Sequence, residues 1–368
     1  MAPPSADALA AARPVIEAHV EPSIGRPLGE MQAITGLTAT TSGLTLALSL
    51  PVPVGGLEAS LAAGLSTALQ RAGIVQPLSL SLESRITAQA VQKPLKPMPT
   101  VRNIVAVGSA KGGVGKSTVA ANLALAWTLQ GARVGLLDAD VYGPSQPMLL
   151  GVEGIKPETV DNKRIVPVSA HGLKMLSIGL LIDPEQPAIW RGPMVTQALM
   201  QLLNETEWGE LDYLVLDLPP GTGDLQLTLA QRVPVAGAVV VTTPQKLAVA
   251  DARKGLRMFE KVSVPVLGVV ENMSTHVCSQ CGHEDHLFGR GGGEQLARDC
   301  GTEFLGALPL DPAIGVECDQ GRPTVIAAPD SARARRYLDL ARRVAGALAR
   351  RPRDRSAAFP GIVVERSS

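Results

Sequence analysis

A glycine-rich stretch of the chain has the composition of a phosphate-binding loop. Residues 108–118 read GSAKGGVGKST, follow an apolar run at 104–107 and precede a helical pattern. Gly112, Gly113 and Gly115 allow successive backbone amides to turn inward around phosphate oxygens, and the N-terminus of the following helix adds partial positive charge at the same place. The order of strand, glycine loop and helix therefore predicts a site for a phosphorylated ligand.

The end of this loop carries side chains suited to a nucleoside triphosphate and its metal ion. In such loops the lysine reaches the β- and γ-phosphates and the following hydroxyl ligates Mg²⁺, which are the roles expected of Lys116 and Ser117. The predicted phosphate contacts are Gly112, Gly113, Val114, Gly115, Lys116, Ser117 and Thr118. The strict Walker pattern has glycine where this chain has Ala110, so a chance glycine turn is the alternative.

Carboxylates stand where two further apolar runs end. Hydrolysis of a nucleotide needs such groups to hold Mg²⁺ with its water and to orient the attacking water. Asp138 and Asp140 follow the run at 134–137, at the carboxyl edge where open α/β sheets bind ligands. Asp217 follows another run and fits a contact to Mg²⁺ through its water, and Gly221 in the next turn fits a switch that senses the γ-phosphate. The alternative for a single aspartate here is an N-cap of the next helix.

One asparagine predicts which base the site takes. Asn272 follows the apolar run at 266–270, and its amide can pair with the donor and acceptor edge of adenine. A guanine site of the Asn-Lys-x-Asp kind would need aspartate where this chain has Thr275. The sequence therefore predicts ATP as the nucleotide.

A pair of cysteines lies just beyond that asparagine. Cys278 and Cys281 are separated by two residues, which lets both thiolates bind one metal ion or cluster. Two ligands leave a tetrahedral Zn²⁺ or a four-iron cluster half coordinated. In a symmetric dimer, two copies of the pair supply four thiolates at one twofold axis. Cluster binding would then depend on the geometry of the dimer.

The cysteine pair is also compatible with a metal site inside one chain. Zn²⁺ could be held by the two cysteines with His276, His283 or His286, as in a small zinc knuckle. The pair could also be an intramolecular redox couple or a purely structural turn. Cys300 and Cys318 lie apart from the motif, and we expect them to be buried small apolar residues outside the site.

The set of motifs resembles one known family over most of residues 100–345. KGGVGKS resembles the deviant Walker loop of the ParA, MinD, nitrogenase iron protein and Mrp ATPases. Together with DADVYGPS, DLPPGTGD, ENMS and CxxCG, it resembles the Mrp/ApbC (Nbp/Cfd-like) iron-sulfur carriers. The resemblance implies that Lys111 reaches across a dimer interface to the partner's nucleotide, the alternative being a solvated loop lysine. It also implies that Asp140 orients the water and that Asp138 supports the metal.

The resemblance carries a function with it. It implies an ATP-dependent carrier that holds an iron-sulfur cluster, of the 4Fe-4S kind, across a homodimer, takes it from assembly proteins and transfers it to recipient apo-proteins. The expected cofactors are ATP, Mg²⁺ and the cluster, and the expected enzymatic activity is slow ATP hydrolysis. The residues expected to act are Lys111, Lys116 and Asp140 in catalysis, Ser117, Asp138 and Asp217 at Mg²⁺, Asn272 at the base, and Cys278 and Cys281 at the cluster.

Two other functions use parts of the same pattern. A ParA/MinD-type positioning ATPase would bind DNA or membrane, and residues 333–351 could form a basic amphipathic helix with an apolar stripe. The stripe consists of Tyr337, Leu340, Val344 and Leu348. A last helix packed on the sheet would produce the same stripe. An electron-transfer ATPase like the nitrogenase iron protein would take its cysteines from two separate loops, and here they share one.

The elements that must position these residues alternate along the chain. Apolar runs of strand length and helical patterns follow one another from residue 103 onward, at 104–107, 119–130, 134–137, 213–216, 238–241 and 266–270. Short, continuously apolar strands alternating with helices imply a parallel sheet that is buried on both faces. The fold class is therefore α/β, a mostly parallel sheet flanked by helices as in P-loop NTPases, with a small N-terminal α+β domain.

Proline and charge mark the predicted boundaries. Three prolines at 94, 97 and 99 favour an extended linker over 91–100. It would separate a small α+β domain, 1–90, from an ATPase domain, 101–349, followed by a mobile arginine-rich tail, 350–368. The small domain loosely resembles the one often fused ahead of bacterial Mrp ATPases, but the cysteine that such domains often carry is absent.

Composition limits the partners that the chain would recruit. Hydrophobic residues make up 45 % and charged residues 18 % of the 368 residues, which is typical of a soluble α/β protein. Lys plus Arg equals Asp plus Glu, at 34 each, so no overall field attracts nucleic acid or a membrane surface. Four cysteines do not form a disulfide framework in so long a chain. We expect a cytoplasmic protein without nucleic-acid or membrane partners.

Overall fold

The strands at the centre of the protein are apolar on both faces. Every residue of Leu211–Asp217 and of Val235–Thr242 is buried, as parallel strands require when helices cover both sides of the sheet. The computed structural model describes residues 6–40, 43–161, 163–181, 192–278 and 280–354.

The elements of these residues are numbered in chain order. The helices are α1 Ala6–Ala18, α2 Glu58–Arg71, α3 Lys116–Leu129, α4 Gln146–Leu149, α5 Gly192–Glu205, α6 Asp224–Arg232, α7 Lys246–Lys261, α8 Gly292–Asp299, α9 Pro312–Asp319, α10 Thr324–Ala327 and α11 Ala332–Ala349, with a 3₁₀ turn at Ile178–Leu180. The strands are β1 Val20–Glu21, β2 Arg26–Pro27, β3 Ile34–Thr40, β4 Gly43–Leu50, β5 Leu78–Ser84, β6 Val101–Gly108, β7 Val134–Asp138, β8 Thr159–Val160, β9 Arg164–Ile165, β10 Val168–Ala170, β11 Leu173–Ser177, β12 Leu211–Asp217, β13 Val235–Thr242, β14 Val266–Glu271, β15 His276–Val277, β16 Glu284–Asp285 and β17 Phe304–Ala307.

Eight strands form the main sheet in the order β10-β11-β7-β12-β6-β13-β14-β17. Only β10 runs antiparallel to its neighbour, so the predicted α/β class with a mostly parallel sheet is confirmed. Strand β12 pairs with both β6 and β7, and Asp217 is in register with Val107 on one side and Asp138 on the other. Because parallel strands end at one edge, this register brings the glycine loop and two aspartates together.

Helix α3, which follows the glycine loop, is buried on nearly all sides between the sheet and α11. Its residues 119–127 are all buried, which is the pattern of a core helix and not of an amphipathic surface helix. Trp127 stacks on Tyr213 of β12 with ring centroids 4.3 Å apart, and its indole Nε1–H donates to the carbonyl oxygen of Ala341 at 2.9 Å. The loop therefore begins a helix that is fixed along its length.

The N-terminal unit is a three-stranded sheet covered by two helices. Strands β3 and β4 form an antiparallel hairpin, and β5 returns parallel to β4 after α2. The apolar residues of this unit belong to the same continuous core as α3 and α11. Backbone contacts also join the two units: Gly55 N–H donates to the carbonyl oxygen of Gln130 at 2.9 Å, and a Cβ on Gly346 would clash with the backbone of Ser23. Helix α1, which contains Pro14, was not predicted.

The proline-rich segment at 91–100 has no regular secondary structure, and one buried side chain ties it down. Gln92 Nε2 donates to the carbonyl oxygens of Ala230 at 2.8 Å and Val233 at 2.7 Å. The first residues after α11 lie against the segment just before 91–100, because Ala90 N–H donates to the carbonyl oxygen of Pro352 at 2.8 Å. The mobility predicted for the tail stays a prediction, and residues 355–368 lie outside the described ranges.

Candidate nucleotide site and cysteine hairpin

The glycine loop connects β6 to α3, and two of its glycines adopt conformations that other residues avoid. Gly113 and Gly115 have φ of 81° and 78°. A Cβ at Gly112 or Gly113 would meet no atom within 4 Å, whereas one at Gly115 would clash with Asn272 Nδ2. The loop is therefore open on the side of the first two glycines and tightly packed against the end of β14 at the third.

The lysine of the loop is buried against the aspartate at the end of β12. Lys116 is 6 % exposed and Asp217 is fully buried, and the ammonium group forms an ion pair with Asp217 Oδ1. Lys116 Nζ also lies 3.1 Å from Ser117 Oγ. The structure thus brings together residues that were predicted from two separate motifs, the glycine loop and the segment that begins at Asp217.

A second buried carboxylate lies beside this ion pair. Asp138 accepts hydrogen bonds of 3.1 Å from the backbone amides of Asp140 and Gln146 and from Ser177 Oγ. Burial, together with the charge of Asp217, raises the pKa of Asp138 to about 7. With three donors already on its oxygens, Asp138 is well placed to hold neighbouring groups in position.

Gln146 joins these parts and was missed by the sequence reasoning. It is fully buried at the start of α4, and its Nε2 donates to the carbonyl oxygen of Ser117 at 3.0 Å and to Asp217 Oδ2 at 2.8 Å. Its Oε1 is buried and has no hydrogen-bond partner among the described residues. The only signal was its place directly after the DADVYGPS motif, which does not indicate a contact across the sheet.

Asp140 lies at the same edge but is less enclosed. Burial raises the pKa of the Asp140 carboxyl, and the nearby charge of Lys116 and hydrogen bonds from the amides of Gly143 and Tyr142 oppose that shift. A carboxylate in this position can accept a hydrogen bond from a water molecule beside the phosphate loop.

The turn after β12 is attached to the glycine loop. Gly221, with φ of 108°, donates its N–H to the carbonyl oxygen of Ser109 at 2.8 Å. Gln226 of α6 is buried, and its Nε2 donates to the carbonyl oxygens of Pro219, at 3.1 Å, and Pro220. The predicted switch turn therefore connects the phosphate loop to α6.

Lys111 and Asn272 make different contacts with the loop. Lys111 is half-buried, and its carbonyl oxygen accepts a hydrogen bond from Ser109 Oγ at 3.0 Å. Asn272 is buried, and its Nδ2 donates to the carbonyl oxygen of Val114 at 2.9 Å. Asn272 therefore fixes the loop to β14, while its pairing with adenine and the reach of Lys111 into a second chain stay predictions.

The two cysteines lie at the turn of a short hairpin formed by β15 and β16. Cys278 N–H donates to the carbonyl oxygen of His283 at 2.9 Å, and Gly282 N–H donates to that of Cys278 at 2.8 Å. Hydrogen bonds from the backbone amides of Gln280 and Cys281 lower the pKa of the Cys278 thiol. Cys278 is half-buried and Cys281 is exposed, so both sulfur atoms are accessible for ligation.

Two of the three histidines of the alternative zinc site lie beside backbone carbonyl oxygens. The Nδ1 atoms of His276 and His286 lie 3.0 Å from the carbonyl oxygens of Leu310 and Ser274. Within the described part of the chain, no three His, Cys, Asp or Glu side chains are grouped so that they could hold a metal ion. Among the described residues of one chain, the two thiols therefore have no third potential metal ligand beside them.

The other two cysteines differ from this pair. Cys318 is buried, and burial raises the pKa of its thiol to about 11. Cys300 is half-buried rather than buried as expected, and its sulfur lies 3.7 Å from Arg253 Nη1. Both lie outside the hairpin.

The apolar stripe of the last helix faces inward. Tyr337, Leu340, Val344 and Leu348 of α11 are all buried in the core shared with α3. The stripe that could have inserted into a membrane is therefore used in packing. None of the helices formed by the described residues is both long enough and apolar enough to cross a bilayer.

The fold and this site together define a P-loop NTPase. The family model described as the ParA-type NUBPL iron-transfer P-loop NTPases matches residues 100–345, and the chain belongs to this family.

Two iron-sulfur cluster carrier proteins match 73 % and 90 % of the chain. The iron-sulfur cluster carrier protein of Haemophilus influenzae is 46 % identical over 330 residues, which are 90 % of this chain and 89 % of the relative. That of Pseudomonas fragi is 56 % identical over 268 residues, 73 % of this chain and 93 % of the relative.

Solved structures agree on the fold. The nucleotide-binding protein of Archaeoglobus fulgidus in complex with ADP is 42 % identical, with a TM-score of 0.54, over 61 % of this chain and 88 % of that protein. The cell division ATPase MinD of Pyrococcus furiosus, 23 % identical with a TM-score of 0.51 over 66 % of this chain and 98 % of that protein, shares the fold.

Proposed function

We propose that this protein is an ATP-dependent iron-sulfur cluster carrier. Two chains hold one cluster, of the 4Fe-4S kind, between their copies of Cys278 and Cys281, receive it from assembly proteins and transfer it to apo-proteins. The observation that carries this proposal is the accessible thiol pair at the hairpin tip, which makes up half of a four-ligand site. Thiolate ligation of this kind requires a reducing compartment, so we place the protein in the cytoplasm.

The cysteine hairpin is suited to bind and release its cargo. A thiol with a lowered pKa is thiolate at lower pH, and thiolate is the form that ligates iron. The lowered pKa of Cys278 therefore favours binding near neutral pH. Cys281 is exposed, so a thiol of a recipient protein can approach the cluster at this residue. The names of the relatives, which are iron-sulfur cluster carriers, support this cargo.

The glycine loop fits Mg²⁺ and the phosphates of ATP. Its first two glycines leave open space. Gln146 is bonded to Ser117, Asp138 and Asp217, and its buried Oε1 has no partner within the described ranges. Ser117 and Asp217 would hold Mg²⁺, which would neutralise charge on the β- and γ-phosphates. Asp138 supports this arrangement because it fixes the backbone of Asp140 and Gln146.

The catalytic residues divide the work of a slow ATP hydrolysis. Lys116, at the first turn of α3, places its positive charge at the phosphate loop. Asp140 accepts a hydrogen bond from the attacking water and orients it. Lys111 enters the site of the second chain, so that hydrolysis requires the homodimer. The turn around Gly221 responds to the γ-phosphate and couples hydrolysis to loading or release of the cluster.

Anaerobic reconstitution with iron and sulfide tests this function. We expect about one labile cluster per dimer, measured as bound iron, sulfide, visible absorption and oligomer mass. The Cys278→Ala/Cys281→Ala double variant should lose the cluster, and the matched Cys300→Ala variant should keep it. Zinc without sulfide in the wild-type protein, or equal cluster content in all three proteins, would refute the carrier function.

A further inference from the structure

The carboxylate at the end of β14 is buried and bonded to two separate parts of the chain. Glu271 is 1 % exposed. Its Oε1 accepts a hydrogen bond from Ser274 Oγ at 2.7 Å, and its Oε2 accepts one from the backbone amide of Gly293 at 2.6 Å. One rigid side chain thus joins two positions that lie on either side of the cysteines in sequence.

These two positions are the two ends of the segment that carries the cysteines. Ser274 precedes the hairpin and Gly293 lies in the first turn of α8, which follows it. A Cβ on Gly293 would lie 2.9 Å from the Cβ of Glu271, so glycine is needed for this close approach. Inside the segment, His286 Nδ1–H donates to the carbonyl oxygen of Ser274 at 3.0 Å. Glu271 therefore closes the base of the cysteine segment against the main sheet.

The same strand end also holds the nucleotide loop. Asn272, the residue after Glu271, donates to the carbonyl oxygen of Val114 at 2.9 Å. Glu271 itself is paired with Ala307 of β17 and accepts the amide of Leu308 at 2.9 Å through its backbone oxygen. The position of the cysteine segment relative to the phosphate loop is thus set at two consecutive residues of one buried strand.

We propose that Glu271 is the positioning residue that fixes the cysteine pair relative to the nucleotide site. This role rests on the proposed function, in which two chains bind one cluster through two cysteines each. The cysteine pair of each chain must then be held in a defined position. A simpler role also exists, since a carboxylate at the N-terminus of α8 stabilises that helix. The two roles predict different results. If Glu271 positions the cysteines, loss of its carboxylate changes their reactivity and iron binding; if it only caps α8, the loss lowers stability alone.

The chain offers a matched control for a Glu271→Gln substitution. Glu21 in the N-terminal unit is also 1 % exposed, and it accepts hydrogen bonds from Ser23 Oγ at 2.6 Å and from the backbone amide of Ile24 at 2.7 Å. Both glutamates therefore bind one hydroxyl and one amide. The two differ in which oxygens accept: the donors to Glu271 meet different oxygens, whereas both donors to Glu21 meet Oε2. A glutamine at 271 therefore sets its NH₂ group against one donor, and a glutamine at 21 can keep both bonds on its single oxygen.

The test compares Glu271→Gln and Glu21→Gln in the full chain by two measurements. The first is the rate at which a chelator removes iron from the reconstituted protein, and the second is the rate at which iodoacetamide labels Cys278 and Cys281 in the cluster-free protein. We expect Glu271→Gln to lose more thermal stability than Glu21→Gln, which removes a buried charge and can keep both hydrogen bonds. Only Glu271→Gln should release iron about tenfold faster and change the labelling rates, with MgADP affinity within about twofold of wild type.

Ser274→Ala, which removes only the hydroxyl partner, keeps the test open if Glu271→Gln does not fold. It should shift both rates in the same direction by a smaller factor. Equal iron release in Glu271→Gln and Glu21→Gln, with unchanged labelling, would reduce Glu271 to a helix cap. If the wild-type protein takes up no cluster, the carrier function fails, and the labelling rates of the cluster-free variants still decide whether Glu271 positions the cysteines.

Discussion

At the carboxyl edge of the sheet, Lys116, Asp138 and Asp217 are buried and bonded to one another or to Gln146. At the hairpin tip, by contrast, Cys281 is exposed in the turn between two strands of two residues each. The charges at the first region are satisfied within one chain. The thiols of the second region have each other and backbone amides as neighbours. A site built in the first way is preorganised before its ligand arrives, and one built in the second way is completed by what it binds.

The difference fits the chemistry proposed for each region. Phosphoryl transfer depends on charges held at fixed positions in a poorly solvated place, because little covalent chemistry is left for the protein to do. Cluster transfer instead requires that a recipient protein reach the cluster and that its own ligands replace the thiolates of the carrier. The proposed carrier function therefore requires both fixed charges at the phosphate loop and access at the hairpin.

The largest expected effect is at the buried ion pair. Lys116→Met leaves the carboxylate of Asp217 buried without its cation, and we expect the free energy of unfolding of the nucleotide-free protein to fall by about 3 kcal/mol. Lys111→Met, in the same loop but half-buried, should change it by less than about 0.5 kcal/mol. Urea unfolding without nucleotide measures both. Similar losses in the two variants would show that the edge is not organised around this pair.

A smaller effect is expected at Gln146. Gln146→Ala removes a donor from Asp217 and should cost about 2 kcal/mol of stability. Mg²⁺ should also increase the affinity for ADP about tenfold less in this variant than in the wild type. Calorimetric titration of ADP with and without Mg²⁺ measures this difference. Gln130→Ala is the control, because Gln130 is also buried but donates to the carbonyl oxygen of Leu338, away from the site. If both variants keep the full Mg²⁺ effect, Gln146 only supports packing.

The last prediction concerns the reactivity of the cysteines and involves no change in stability. Because the pKa of Cys278 is lowered, its thiolate forms at lower pH, so its rate of reaction with iodoacetamide should reach a plateau at a lower pH than that of an ordinary thiol. Cys318, with a pKa raised to about 11, has roughly one thiolate in a thousand at about pH 8. Mass mapping after timed labelling follows both residues. Equal rates at that pH would contradict the contrast between an accessible pair and a buried thiol.

The chain alone determined the main architecture and the residues of the phosphate loop. Continuous apolar runs predict buried parallel strands, and each predicted strand lies within an observed one, for example 213–216 within β12. The glycines, Lys116 and Ser117 are contiguous, and short contiguous motifs carry their geometry with them because backbone conformation is local. Helix α1 was missed, and it contains Pro14, a residue that usually interrupts a helix.

Only the tertiary structure decided which distant groups meet. Gln146 and Gln226 follow quoted motifs, and Glu271 begins one to which the sequence assigned no role. Their contacts depend on carbonyl, carboxylate and amide groups that other parts of the chain contribute. The stripe on α11 was equally compatible with a membrane and with the core until its burial against α3 was known. The physical reason is that hydrogen bonds and burial depend on neighbours in space. The pattern along the chain shows only that an apolar face must be buried or that a buried polar group must be hydrogen-bonded, and it does not identify the partner.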